Sequence, residues 1–211
     1  MIAVLACLVL VSVDAFATER PVLPAKSPGS EQAPDSVALY HFMLGYQREL
    51  DNAAGEAEAE YLRALAHDPN SVGVHLRLAT LYHAQGAHEK AQAHAEAVLA
   101  RDATNLQALH MLASVAVAAG RAEQAIELYE RIVAVWPQEA QAYFSMGMLL
   151  SGLKRYDEAE QTIRRGIAVS QTTAPTGYLY LGHILIEQKA WDRGVQAYRD
   201  ALASNPSFEP A

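Results

Sequence analysis

One short pattern recurs along this chain at a nearly constant distance. A large apolar residue followed by a small one stands at Leu44-Gly45, Leu78-Ala79, Leu112-Ala113, Met146-Gly147 and Leu181-Gly182, in steps of 34, 34, 34 and 35 residues. A fixed period of this length is the signature of an array of one structural unit, which rules out most single-core folds. Further markers keep the step. Ala57, Ala91, Ala125, Ala159 and Gly194 are all small, and Ala64, Ala97, Ile132, Gly166 and Ala201 are small with one exception. Tyr61, Ala95, Tyr129, Ile163 and Tyr198 lie between these two sets. Proline closes three units, at Pro69, Pro137 and Pro206, while Ala103 and Gln171 stand at the other two ends.

Each unit holds two helix-length segments with apolar residues at helical spacing. Composition agrees: 51% of residues are hydrophobic but only 8% aromatic. Alanine-rich apolar sequence favours close-packed helices over strands, which prefer β-branched and aromatic residues. Gly86 and Gly120 mark the break between the two segments in their units, where a left-handed residue ends a helix. Proline disfavours helix at the residue before it and ends the second segment. One helical pair cannot bury its own apolar face, so stacked neighbours must do so.

These motifs closely resemble the tetratricopeptide repeat, over Ala38 to Phe208. Tyr178, Leu181, Gly182, Gly194, Tyr198, Ala201 and Pro206 follow that family's pattern, as do Leu78, Ala79, Tyr82, Ala91 and Ala97. His41 and His75 replace its large residue in the first two units, and Arg48 stands where Tyr is usual, as suits an exposed edge. The resemblance implies an all-α fold, a right-handed superhelical α-solenoid of five tandem helix-turn-helix repeats: 38–71, 72–105, 106–139, 140–174 and 175–208. Residues 209–211 would open a sixth. The join at "SQTTAPTG", Ser170 to Gly177, carries the extra residue and is a candidate bend, with Pro175 suited to the first turn of the next helix.

The front of the chain reads differently. Ile2 to Val13 is an apolar run of 12 residues, short for a membrane span. Ala15-Phe16-Ala17 follows as a small-x-small cleavage pattern, so residues 1–17 read as a secretory signal, without the usual basic residue before the run. The expected location is outside the cytoplasm, in a bacterial periplasm; an uncleaved membrane anchor is the alternative. Cleavage would remove Cys7, the one cysteine, and Asp14, taking the net charge from −8 to −7. Residues 18–37, with four of the nine prolines, read as an extended tether.

Motifs for chemistry are lacking. The eight histidines include no His-x-x-x-His pair, and no phosphate loop or nucleophile elbow occurs. The expectation is no enzyme, no cofactor and no metal. Without a basic stripe, nucleic acid is not an expected partner. In the family resembled, the first helices line a concave groove that holds a protein segment. Carried over by repeat phase, the groove row is Phe42, Tyr46, Leu76, Thr80, His83, His110, Ser114, Phe144, Met148, Leu179 and His183. Aromatic, Met and Leu side chains there suit a peptide or helix bearing apolar anchors. The subtype that clamps acidic C-termini needs basic residues in the groove; its phases hold Phe42, Tyr46, Arg77, Gln107 and Met111, of which only Arg77 is basic. The reading is a protein-binding scaffold. Its alternatives are a recruiting arm of a longer enzyme such as a glycosyltransferase, a part of an outer-membrane assembly or polysaccharide-export machine, or a cytoplasmic adaptor. No polar capping helix follows the fifth unit, so further repeats or another subunit are expected at the open C-terminal end.

Overall fold

The computed structural model describes residues 36–204. The expected signal, most of the tether, Pro206, Phe208 and residues 209–211 lie outside the described residues. Among the described residues ten helices follow one another: α1 (Ser36–Leu50), α2 (Ala54–His67), α3 (Val72–Ala84), α4 (His88–Leu99), α5 (Leu106–Ala118), α6 (Ala122–Val135), α7 (Ala140–Gly152), α8 (Tyr156–Val169), α9 (Ala174–Glu187) and α10 (Trp191–Ser204). No strand occurs among the described residues. α1 takes in Ser36 and Val37, which the sequence reading gave to the tether. Each odd helix packs on the even helix that follows it, and each even helix on the next odd one. α3 also touches α5, and α7 touches α9, so the odd helices form an inner layer. The fold is an all-α solenoid of five stacked hairpins.

The five hairpin turns share one backbone construction. Asn52, Gly86, Gly120, Lys154 and Lys189 all have positive φ, between 57° and 73°. At each, the next residue's N–H bonds back five residues: Ala53 to Arg48, Ala87 to Tyr82, Arg121 to Ala116, Arg155 to Leu150 and Ala190 to Leu185. This is a Schellman end, which satisfies carbonyls that the helix leaves unpaired. It also leaves almost no slack before the next helix, so the crossing of the two helices is fixed by backbone rather than by a flexible loop. Sequence showed this only where Gly occupies the turn; Asn52, Lys154 and Lys189 adopt the same conformation with a side chain.

The small residues mark where two helices approach. A Cβ on Gly45 would stand 2.7 Å from the Tyr61 ring, one on Gly147 2.6 Å from Ile163, and one on Gly182 2.5 Å from Tyr198. In the second hairpin the corresponding residues are Ala79 and Ala95, so a smaller partner allows a Cβ on the facing helix. One marker needs correction. Ala97 is only half-buried, and the residue at that register is its neighbour Val98, fully buried at 0%. The step from Ala64 is then the regular 34.

Between hairpins, Asp68 and Asp102 accept bonds from the N–H two residues on, at Asn70 and Thr104, both at 3.1 Å. Such side-chain turns stop one helix and aim the next. Asn105 then caps α5, accepting from the Ala108 N–H at 3.1 Å. At the irregular join, Pro175 lies in the first turn of α9. The join is nonetheless tightly packed: a Cβ on Gly177 would meet Ile167 at 2.5 Å and Phe144 at 2.8 Å.

A left-handed lysine is strained where Gly is not, and a Cβ at Gly120 would meet open space. Lys154→Gly should therefore stabilise the fold by about 0.5–1 kcal/mol and Gly120→Ala should destabilise it by about 1 kcal/mol. Denaturant melts of the two variants check both signs.

Candidate functional site

Apart from His83, the predicted row falls on two parallel lines, one turn apart on each odd helix. Phe42, Leu76, His110, Phe144 and Leu179 form one line; Tyr46, Thr80, Ser114, Met148 and His183 form the other. The structure joins five of these residues in a single cavity of about 720 Å³: Phe42, Leu76, Thr80, His110 and Ser114. It spans α1, α3 and α5, and Glu139, the N-cap of α7, closes one edge. Gly73, Arg77, Leu106, Gln107 and Met111 complete its wall. Leu76, Met111 and Phe42 supply apolar surface, while Arg77, Gln107, Thr80, Ser114, His110 and Glu139 supply polar points. That mixture is typical of a site that seats a side chain and fixes its orientation.

The other predicted residues lie outside this cavity. Tyr46 is half-buried, with the Arg77 guanidinium 4.7 Å over its ring. Met148 packs against the main core cluster, Leu179 is half-buried, and His183 is exposed. His83 sits at the end of α3 with its ring 5.8 Å from that of His88, beside the hairpin turn. Phe144 corrects the reading outright. It is 1% exposed, and it fills the space that Gly166 and Gly177 leave open, with its ring against the Cα of each. Tyr180 packs edge-on to it at 5.9 Å. Phe144 is therefore a core residue of the α7–α8–α9 junction.

Charges in the groove are tethered. Arg77 reaches Glu49 at 3.7 Å, and Glu49 also accepts the hydroxyl hydrogen of buried Tyr61. Burial, then that bond, raises the Tyr61 phenol well above its ordinary range, so it stays protonated. Tyr82 is pushed up to about 12 by burial and by donating to Glu58. Burial lowers His110 while Glu139 opposes the shift, so His110 is neutral at pH 7, with one donor and one acceptor. Neither Arg77 nor Glu139 has the apolar periodicity that marks the row, so repeat phase does not single them out.

The histidines come together in pairs rather than around a point. His41 Nδ1 lies 2.7 Å from the carboxylate of Glu60, which is 8% exposed. One period on, His75 Nδ1 lies 2.9 Å from His94 Nδ1, and His75 Nε2 donates to the Pro69 carbonyl at 3.1 Å. His75 then accepts from the Nδ1–H of His94. Among the described residues no group of three or more His, Cys, Asp or Glu is placed to hold a metal ion. No described helix is long and apolar enough to cross a membrane. A second concavity of about 800 Å³ lies at the α3–α4 and α5–α6 turns, lined by Gly86, His88, Glu89, Lys90 and Arg121 among others. Its walls are largely exposed turn residues, and no Leu, Met or Phe side chain lines it.

Burial, then His75 and Lys90, lower His94 below its ordinary 6.5, and burial lowers His110 likewise. The unfolded chain then binds more protons than the folded one at mildly acid pH. Stability should be full above about pH 6.5 and fall as pH drops below it. A melt series from about pH 7.5 to 5 should show this decline, and His94→Asn should flatten part of it.

Two sequence profiles described as tetratricopeptide repeat match the chain, at residues 50–115 and 104–172. No curated protein matches it. Among solved structures, a crystal structure of MamA protein superposes with a TM-score of 0.71 at 21% identity, covering 83% of this chain and 97% of that one. MamA 41-end from Desulfovibrio magneticus RS-1 gives 0.74 at 14% identity, covering 84% and 100%. YrrB, described as a TPR protein with an unusual peptide-binding site, gives 0.64 at 18% identity, covering 81% and 88%.

Proposed function

Since this chain belongs to the tetratricopeptide-repeat family, we propose that it is a protein-binding scaffold whose concave groove seats a segment with an apolar anchor. The observation that carries this is the cavity spanning α1, α3 and α5, with Leu76 and Met111 beside Arg77, Gln107 and Glu139. A side chain of Leu, Met or Phe size fits an apolar floor of this kind. The polar rim is arranged to meet main-chain groups of the bound segment, because Gln107, Thr80 and Ser114 offer both donors and acceptors. YrrB, similar in fold, is described as peptide-binding, which supports the reading by analogy. The reading involves binding alone and no chemical step.

The proposal extends to location. The apolar run Ile2–Val13 and the small-x-small pattern at residues 15–17 support export, with the mature chain beginning at Thr18. Cell fractionation followed by N-terminal sequencing tests this.

A display library of random peptides selected on the chain should yield binders that share one apolar anchor. Leu76→Glu and Met111→Glu should each weaken the best of them by about tenfold or more, since a buried anchor carries most of the affinity. Gln161→Glu, exposed on α8, should leave binding unchanged. Selected peptides that bind all three variants equally would contradict the groove.

A further inference from the structure

The even helices bury one face against their own hairpin and a second against the hairpin that follows. That second face is carried by three positions per helix. They are Ala54, Glu58 and Leu65 in α2; His88, Gln92 and Leu99 in α4; Ala122, Ile126 and Val133 in α6; and Tyr156, Glu160 and Ile167 in α8. All twelve are buried or half-buried. In α10 the same register holds Trp191, Val195 and Leu202, exposed at 58%, 44% and 53%. The most open of these faces carries only apolar residues, with Trp and Val where α2 has Ala and Glu, α4 His and Gln, and α8 Tyr and Glu. With Tyr198 between them, the spacing 191, 195, 198, 202 is four-three-four, the seam of a helix that pairs with another helix.

The charges beside the seam say which helix. Asp192 and Arg199 lie one heptad apart on the same flank, and neither has an ion-pair or hydrogen-bond partner among the described residues. Two α10 helices laid antiparallel about a twofold axis near residues 196–197 bring Trp191 opposite Leu202 of the second copy and Val195 opposite Tyr198 of the second copy. The same operation sets Asp192 beside Arg199 of the second copy, twice. Opposite charges spaced along one flank in this way are self-complementary only in the antiparallel sense.

We propose that α10 is a self-association surface, on which a second copy of this chain docks through its own α10 in a twofold antiparallel pair. The seam is a single helix face, smaller than a standard interface, so the dimer is weak and reversible, with a Kd on the order of micromolar or higher. It joins the scaffolds through their α9–α10 hairpins and leaves the groove on α1, α3 and α5 of each copy free, so it stands or falls independently of the groove reading.

Sedimentation velocity of the full chain from about 1 to 200 µM tests the pair directly. The expected result is a reversible monomer–dimer equilibrium that Val195→Glu abolishes. Asp192→Arg and Arg199→Asp should each raise the dimer Kd by about tenfold, by turning attraction into like-charge contact, and the double swap should restore it to within about threefold. All three residues are exposed, so circular dichroism melts should be unchanged. A chain that stays monomeric throughout, association that Val195→Glu leaves intact, or a double swap no better than the singles would each overturn the proposal.

Discussion

The fold depends on how closely two helices of a hairpin approach each other. Gly45 lies against Tyr61, Gly147 against Ile163 and Gly182 against Tyr198, each with no room for a Cβ. Such contact lets large side chains fill the surrounding grooves without voids. Tyr61 and Ile163 are completely buried, and each contributes roughly 1.5–3 kcal/mol by leaving water. The Schellman turns hold that approach in the same geometry five times over. Because every hairpin repeats the crossing, the odd helices stay on one side, and that placement is what makes the groove.

The groove is in turn a product of where the small residues change. In the fourth hairpin Gly166 stands where the third has Ile132, and Gly177 follows at the start of α9. Together they admit the Phe144 ring into the core, while His110, one period earlier, stays half-buried at the groove wall. The cavity accordingly lies over α1, α3 and α5 and does not continue through Phe144. Charge follows the same logic. Glu49 anchors both Arg77 and Tyr61, so the guanidinium at the groove wall is held against the Tyr46 ring rather than left to search solvent.

Sequence revealed the period, the hairpins and the family because these rest on small residues and apolar spacing, which composition cannot disguise. Repeat phase alone decides which helix face Phe42, Leu76, Thr80, His110 and Ser114 share, and these five line one cavity. Phase does not decide depth. Phe144 has the groove phase, yet two glycines on other helices draw it inward, a signal present in the sequence but legible only once their neighbours are known. Turn conformation was visible at Gly86 and Gly120 and hidden at Asn52, Lys154 and Lys189, where neighbouring hydrogen bonds override the preference of the side chain. Pairs such as His75 with His94 and Arg77 with Glu49 join different helices, so their spacing along the chain gives no direct sign of them.

The most direct test of the account maps a bound segment onto the solenoid. A groove-selected peptide with a photoreactive group at its apolar anchor, irradiated with the chain and analysed by peptide mass spectrometry, reports the seat of that anchor. The account predicts adducts within residues 73–80 and 106–114, on the facing walls of α3 and α5. Adducts confined to the even helices, or to the turns at Gly86 and Gly120, would contradict it.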